Sequence, residues 1–127
     1  MKLKELTKAE EQMMHRIWQL GRTTVKAIVE KMPDPKPAVN TVSTIVRSLA
    51  DKEYLGFEQV GRGYEYFPIV EKAEYRKQFM SRMMSTYFQD SFKDLVSFFA
   101  KENKIKPEEL DELIQEVKRD LKKEENQ

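Results

Sequence analysis

The sequence has no cysteine. That excludes a disulfide framework, a thiolate site for zinc or copper, and a cysteine nucleophile. It has one histidine, His15, which leaves little for histidine-based catalysis or a multi-histidine metal site. No apolar run approaches the ~20 residues needed to cross a bilayer, so a transmembrane helix is excluded. The start, Met1-Lys2-Leu3-Lys4-Glu5, lacks the apolar region of a signal peptide. A soluble, cytoplasmic protein without membrane insertion, cofactor or metal is expected. A charge excess is also missing: 23 basic residues face 22 acidic ones, net +1. Nucleic-acid-binding domains are commonly more basic than this.

What is present is 127 residues, enough for one domain or a small domain with an appendage. Charged residues make up 35%, above the roughly 25% of an average soluble domain. The core is therefore small, or shared with another chain. The placement of charge says more than its sum. Between Asp34 and Asp51 there is no carboxylate, while Lys36 and Arg47 lie inside that stretch with Asn40, Thr41, Ser43, Thr44 and Ser48. A helix face of this kind is tolerated by a groove of phosphates. It also reads as a solvated Ser/Thr face that happens to lack acids.

Thr7-Lys8-Ala9-Glu10 has the form of a capping box. Met13, Met14, Ile17, Trp18 and Leu20 follow at helical spacing, and Gly21 suits the residue after the helix. A first helix is predicted over about 8–20. Thr23 and Thr24 form a short extended segment or cap a second, short helix with Val25, Ile28, Val29 and Met32 on one face. Pro33-Asp34-Pro35-Lys36-Pro37 is a stiff linker. Val39, Val42, Ile45, Val46 and Leu49 then predict a third helix over about 38–52, whose many β-branched residues require tertiary packing to hold it. After Leu55-Gly56 the period changes. Phe57–Val60 and Tyr64–Phe67 read as strands, and Gly61-Arg62-Gly63 supplies the left-handed positions of a hairpin turn. Three helices followed by a hairpin is the order of a winged helix-turn-helix.

The second half differs in kind. Residues 71–88 are helical with an apolar stripe of Phe79, Met80, Met83, Met84, Tyr87 and Phe88. Ser91-x-x-Asp94 caps a helix bearing Phe92, Leu95, Val96, Phe98 and Phe99. Pro107-Glu108-Glu109 opens a last helix striped by Leu110, Leu113, Ile114, Val117 and Leu121. Three such helices are short for an independent core, so the stripes need a partner surface. A second copy of the chain is the economical partner; packing on the N-terminal region is the other. The fold class is mostly α with a small β-hairpin. A winged helix over 6–70, a three-helix dimerisation domain over 71–123 and a disordered tail over 124–127 are expected.

These features resemble the penicillinase repressor and methicillin-resistance repressor family of bacterial transcription factors. The residues concerned are Leu6-Thr7-x-Ala9-Glu10 with Trp18, then Thr24-Val25-Lys26, then Thr41-Val42-x-Thr44-x-x-Arg47-x-Leu49. Gly61-Arg62-Gly63-Tyr64-x-Tyr66-x-Pro68 and Pro107-Glu108-Glu109-Leu110-x-Glu112-Leu113 complete the set. Their order and spacing, over about Leu6 to Val117, make the resemblance specific. It implies a homodimeric repressor of a resistance-type operon, with the winged helix on double-stranded operator DNA and the C-terminal helices intertwined. It further implies a membrane-bound sensor protease that cuts the repressor in its C-terminal region, between Asn and Phe. That bond aligns with Phe98-Phe99 here; Phe in place of Asn leaves the pair open to a dimer-core role instead. Relatives that sense copper use C-terminal cysteines, which this chain lacks. Several relatives carry Arg or Lys where Asn40 and Ser43 stand, which implies a different operator.

On this reading the third helix lies in the major groove. Asn40 suits adenine, and Thr41, Ser43 and Thr44 suit bases, thymine methyls or phosphates. Arg47, Lys36 and Arg62 suit the backbone, with Arg62 also within reach of a minor groove. Tyr64 donates to phosphate or packs on the core. Two alternatives remain. One is a winged-helix regulator relieved by a small ligand among Met80, Met83, Met84, Tyr87 and Phe88. The other is a winged helix used as a protein–protein module. An enzyme is not expected: the acids at Glu108-Glu109 and Asp111-Glu112 have no base, nucleophile or phosphate loop beside them.

Overall fold

Helix α1 (Lys8–Leu20) starts where its local chemistry says it should. The Thr7 hydroxyl accepts from the Glu10 amide at 3.1 Å, and the Thr7 amide donates to the Glu10 carboxylate at 2.8 Å. Gly21 ends the helix at φ 73°, a left-handed conformation that costs a glycine little. The computed structural model describes residues 3–126; Met1, Lys2 and Gln127, the ends of the two terminal segments read above, lie outside them. Both readings of the Thr23-Thr24 pair hold. Thr23 exchanges two backbone hydrogen bonds with Tyr66, at 2.9 and 2.7 Å, and Thr24 caps α2 (Val25–Lys31) through the Ala27 amide.

Helix α3 (Val39–Asp51) packs on α1 and α2. Val42, Val46 and Leu49 are fully buried with Met13, Met14, Ile17 and Ile28. Each such aliphatic side chain stabilises the fold by about 1.5–3 kcal/mol. Val39 departs from expectation: it is 54% exposed and belongs neither to the core nor to its packed fringe. By rotation it lies at the edge of the buried face, but it stands in the first turn, ahead of the packed residues. Ser48 also departs, turning from the polar face to a partner on α1. The chain leaves α3 through Glu53 at φ 65°, a left-handed position held by a side-chain-bearing residue. There the Tyr54 amide reaches the Leu49 carbonyl at 3.0 Å.

Strands β1 (Leu55–Val60) and β2 (Gly63–Pro68) pair antiparallel, Leu55 opposite Pro68 through Val60 opposite Gly63. Each is longer than predicted. Gly61 has the positive φ that the turn needs; Gly63 does not, and is the first residue of β2. Gly56 is required by its partner. A Cβ there would stand 2.5 Å from the Phe67 ring. Trp18 is half-buried, with its indole N–H on the Val70 carbonyl at 2.9 Å.

The chain divides into two units, one ending at Phe79 and one beginning at Met80, and α4 (Lys72–Phe88) runs through the division. In the second unit, α5 (Phe92–Glu102) is capped by Ser91 through the Asp94 amide at 3.1 Å. Helix α6 (Pro107–Glu125) opens on proline and two acids. It continues through Glu124 and Glu125, which the sequence reading placed in a tail. Among the described residues of this unit only Met84 is buried.

One carboxylate joins the first unit's helices. Glu10 is 4% exposed, and it accepts from Ser48 Oγ at 2.5 Å and from Lys52 Nζ at 2.6 Å. Burial by itself raises its pKa, but the hydrogen bonds from Lys52, Ser48 and Thr7 outweigh that and hold it at about 2, against an ordinary 4.5. A depressed pKa means the folded state favours the ionised form. The stabilisation is therefore complete above pH 4.5 and is lost as pH falls toward 2. It is on the order of 3 kcal/mol. Glu10→Gln keeps the cap but removes the charge. Urea unfolding will show the variant less stable at neutral pH, with a smaller loss across that acid window.

Candidate nucleic-acid interface

The polar side of α3 is open to solvent. Asn40, Thr41, Thr44 and Arg47 are exposed, and Ser43 is half-buried at its edge. Thr44 Oγ donates to the Asn40 carbonyl at 2.9 Å, and Arg47 Nε to the Ser43 carbonyl at 3.4 Å. The second bond lays the arginine stem along the helix. Ala38 caps α3 with no side-chain hydrogen bond, and its first turn holds no acid.

The hairpin stands beside this surface and forms two clefts with it. One, of about 320 Å³, is lined by Ser43, Tyr64, Val60, the α2 residues Val25 and Lys26, and, at its border, Glu65. The other, of about 310 Å³, is lined by Arg47, Asp51, Phe57, Tyr64 and Tyr66. Tyr64 thus lies between them, half exposed, with Phe57 edge-on at 5.8 Å. The register explains the pairing of rings. Phe57 and Gln59 face the same side of the hairpin as their partners Tyr66 and Tyr64. Ser43, Arg47 and Tyr64 are therefore brought together. Lys36 and Arg62 line neither cleft. Arg62 is exposed at the hairpin tip, and Lys36 Nζ donates to the Glu30 and Met32 carbonyls at 3.0 and 2.8 Å, closing the end of α2.

The other side of the hairpin carries charge. Glu58 and Glu65 are directly opposed across the strands. Arg22 binds both, Nη2 to Glu58 at 2.9 Å and Nε to Glu65 at 2.6 Å, with its guanidinium 5.0 Å from the centre of the Phe67 ring. Hydrogen bonds to Glu65 and Glu58 raise the arginine's pKa above its ordinary value.

The stripes of the second half fare unevenly. Phe79 packs on Tyr75 in the first unit, with ring centres 6.4 Å apart. Met84 is buried, while Met83, Phe88, Leu95 and Leu110 are half-buried. Phe88 and Phe98 meet edge-on at 5.7 Å. Met80, Tyr87, Phe92, Phe98, Phe99, Leu113, Ile114 and Val117 are exposed, Tyr87 and Phe92 by about three quarters.

The chain matches the family described as penicillinase repressor over residues 6–119, nearly its whole length. It belongs to the penicillinase repressor family. Comparison with curated proteins gave no match. Membership makes the protein a DNA-binding transcriptional repressor with a winged helix-turn-helix, not an enzyme. The family binds operator DNA. Among the described residues no helix is long and apolar enough to cross a membrane, and no group of three or more acidic or histidine residues is placed to hold a metal.

Three residues of this repressor's α3–hairpin region escaped the sequence reading. Phe57 and Lys26 enter the clefts through strand register and the α2–hairpin approach, and only the alternation of Phe57 with Gln59 hinted at it. Arg22 acts across more than thirty residues of chain, with no local signal. Arg22→Ala leaves two carboxylates directly opposed, a destabilising pair in a hairpin. Amide hydrogen exchange in β1 and β2 will quicken. Adding Glu58→Gln and Glu65→Gln to that variant will restore the slower rate.

Proposed function

We propose that the protein is a homodimeric repressor of a resistance-type operon, that it reads its operator with α3, and that it is released by proteolysis in the second unit. The observation that carries dimerisation is the apolar surface left open on α5 and α6. Phe92, Phe99, Leu113, Ile114 and Val117 recur at helical spacing and stay exposed in the single chain. Helices this short gain most of their stability from burying such a face. Exposed apolar stripes on two helices suit an interaction site, and a second copy of the same stripes would satisfy them.

Two winged helices would then meet half-sites about one helical turn apart, or a multiple of that. Asn40, Thr41, Ser43 and Thr44 are proposed for the base edges. Arg47, Tyr64 and Arg62 are proposed for the backbone, with Arg62 also within reach of a minor groove. Lys36 remains a candidate for phosphate, although its hydrogen bonds to α2 draw it away. With a net charge of +1, affinity rests on local cations and on the linkage of two sites.

Phe98 and Phe99 are proposed as the cleavage position for a membrane-bound sensor protease. Both are exposed on α5 in the single chain, but Phe99 belongs to the face a second copy would cover. Cleavage would therefore require the paired helices to separate first; once separated, α5 has no buried residue to hold it and opens locally at low cost. A cut there would detach α6 from the dimer surface.

Genomic fragments captured by the full-length protein at two salt concentrations test the whole reading. A recovered palindrome beside a β-lactamase or sensor-protease gene supports it; no enrichment at either salt overturns it. On the recovered operator, Phe92→Asp with Leu113→Asp will give a monomer by sedimentation and weaken binding by orders of magnitude. Tight binding by that monomer would refute the two-site argument. Arg62→Ala will weaken binding to all sequences alike. Asn40→Ala will relax base preference at one position, by about 1–3 kcal/mol.

A further inference from the structure

Val39 is the one apolar side chain among the exposed residues of α3. A lone exposed valine on a protein surface is ordinary. This one stands at the first position of the helix, next to Asn40 and four residues before Ser43, so it shares the edge of α3 that faces the first cleft. Among the described residues it joins neither the core nor the side chains packed on it. It buries little, and a β-branched residue lowers helix propensity where alanine would not. The same stiffness leaves it one favoured rotamer, so little side-chain freedom is lost when it is covered.

The N-terminal residues of a recognition helix are those that reach base edges. The major groove offers one apolar group, the C5 methyl of thymine. We propose that Val39 is a specificity residue that reads a thymine methyl, at or beside the A·T pair whose adenine suits Asn40. The proposal rests on the placement of α3 in the major groove. Hydrophobic contact by Val39 and amide hydrogen bonding by Asn40 would then select the same class of base pair by two different physical means.

The test uses the full-length protein and the operator it selects from a random duplex library. Each thymine is replaced in turn by deoxyuridine, which removes only the methyl. The wild type will lose about fourfold in affinity per half-site at one position, the worth of one buried methyl group. Val39→Ser, which replaces the apolar branch by a hydroxyl, will bind the thymine and uracil duplexes equally there, while keeping its melting temperature because the side chain is exposed. If Val39→Ser feels every uracil substitution as the wild type does, Val39 is not the reader. If Asn40→Ala and Arg47→Ala also keep full affinity and preference, α3 is not in the groove at all, and the parent reading falls with the proposal.

Discussion

The roll of α3 about its own axis is set by its buried Val42, Val46 and Leu49 and by one carboxylate against its flank. Ser48 and Lys52 are four residues apart, so they share a flank of the helix, and Glu10 accepts from both. Rotation by a single residue would carry one of them out of reach and leave a buried charge short of partners, a costly state. The same carboxylate closes the capping box of α1. One group therefore caps the first helix and ties it to a flank of the third. Ser48 and Lys52 are half-buried against it, and Asn40, Thr44 and Arg47 are exposed. The surface proposed for DNA is thus held from another side of the helix that carries it.

A protein with nearly balanced charge can bind a polyanion only by arranging its charges. Arg47 and Lys26 line the clefts between α3, α2 and the hairpin, and Arg62 extends from the hairpin tip. Of the acids near this region, Glu58 and Glu65 are both bound by Arg22, while Asp51 lines the second cleft with Arg47. The summed charge is close to zero and carries no information on where the cations stand, which is why composition alone argued against nucleic acid.

What could be read in the sequence follows how local each signal is. Thr7, Thr24 and Ser91 act on amides three residues away, and all three caps were legible. So was the hairpin, whose alternation and Gly61 turn are short-range. Val39, Ser48 and Lys36 were misjudged or incompletely read because their surroundings come from elsewhere in the fold. Periodicity assigned Val39 to the core without regard to how far the core extends. Ser48 looked solvated because its partner lies 38 residues away. Lys36 looked free because the carbonyls it meets belong to the preceding helix end. Of the candidate interface, the sequence showed the helix surface and missed the ring and cation that the hairpin and α2 bring to it. The apolar stripes of α5 and α6 were legible as stripes, but what covers them is not written in one chain.

Gly56, Phe67 and Arg22 form a stack in which each layer limits the next. The ring of Phe67 occupies the space a Cβ at 56 would need, and the guanidinium of Arg22 lies by that ring while holding Glu58 and Glu65. None of these positions can vary alone without disturbing a neighbour. Across related repressors they are expected to drift as a set, a larger residue at 56 accompanied by a smaller one at 67. For anyone transplanting this hairpin onto another winged helix, the portable unit is therefore not the two strands. It is the strands together with the arginine from the loop between α1 and α2.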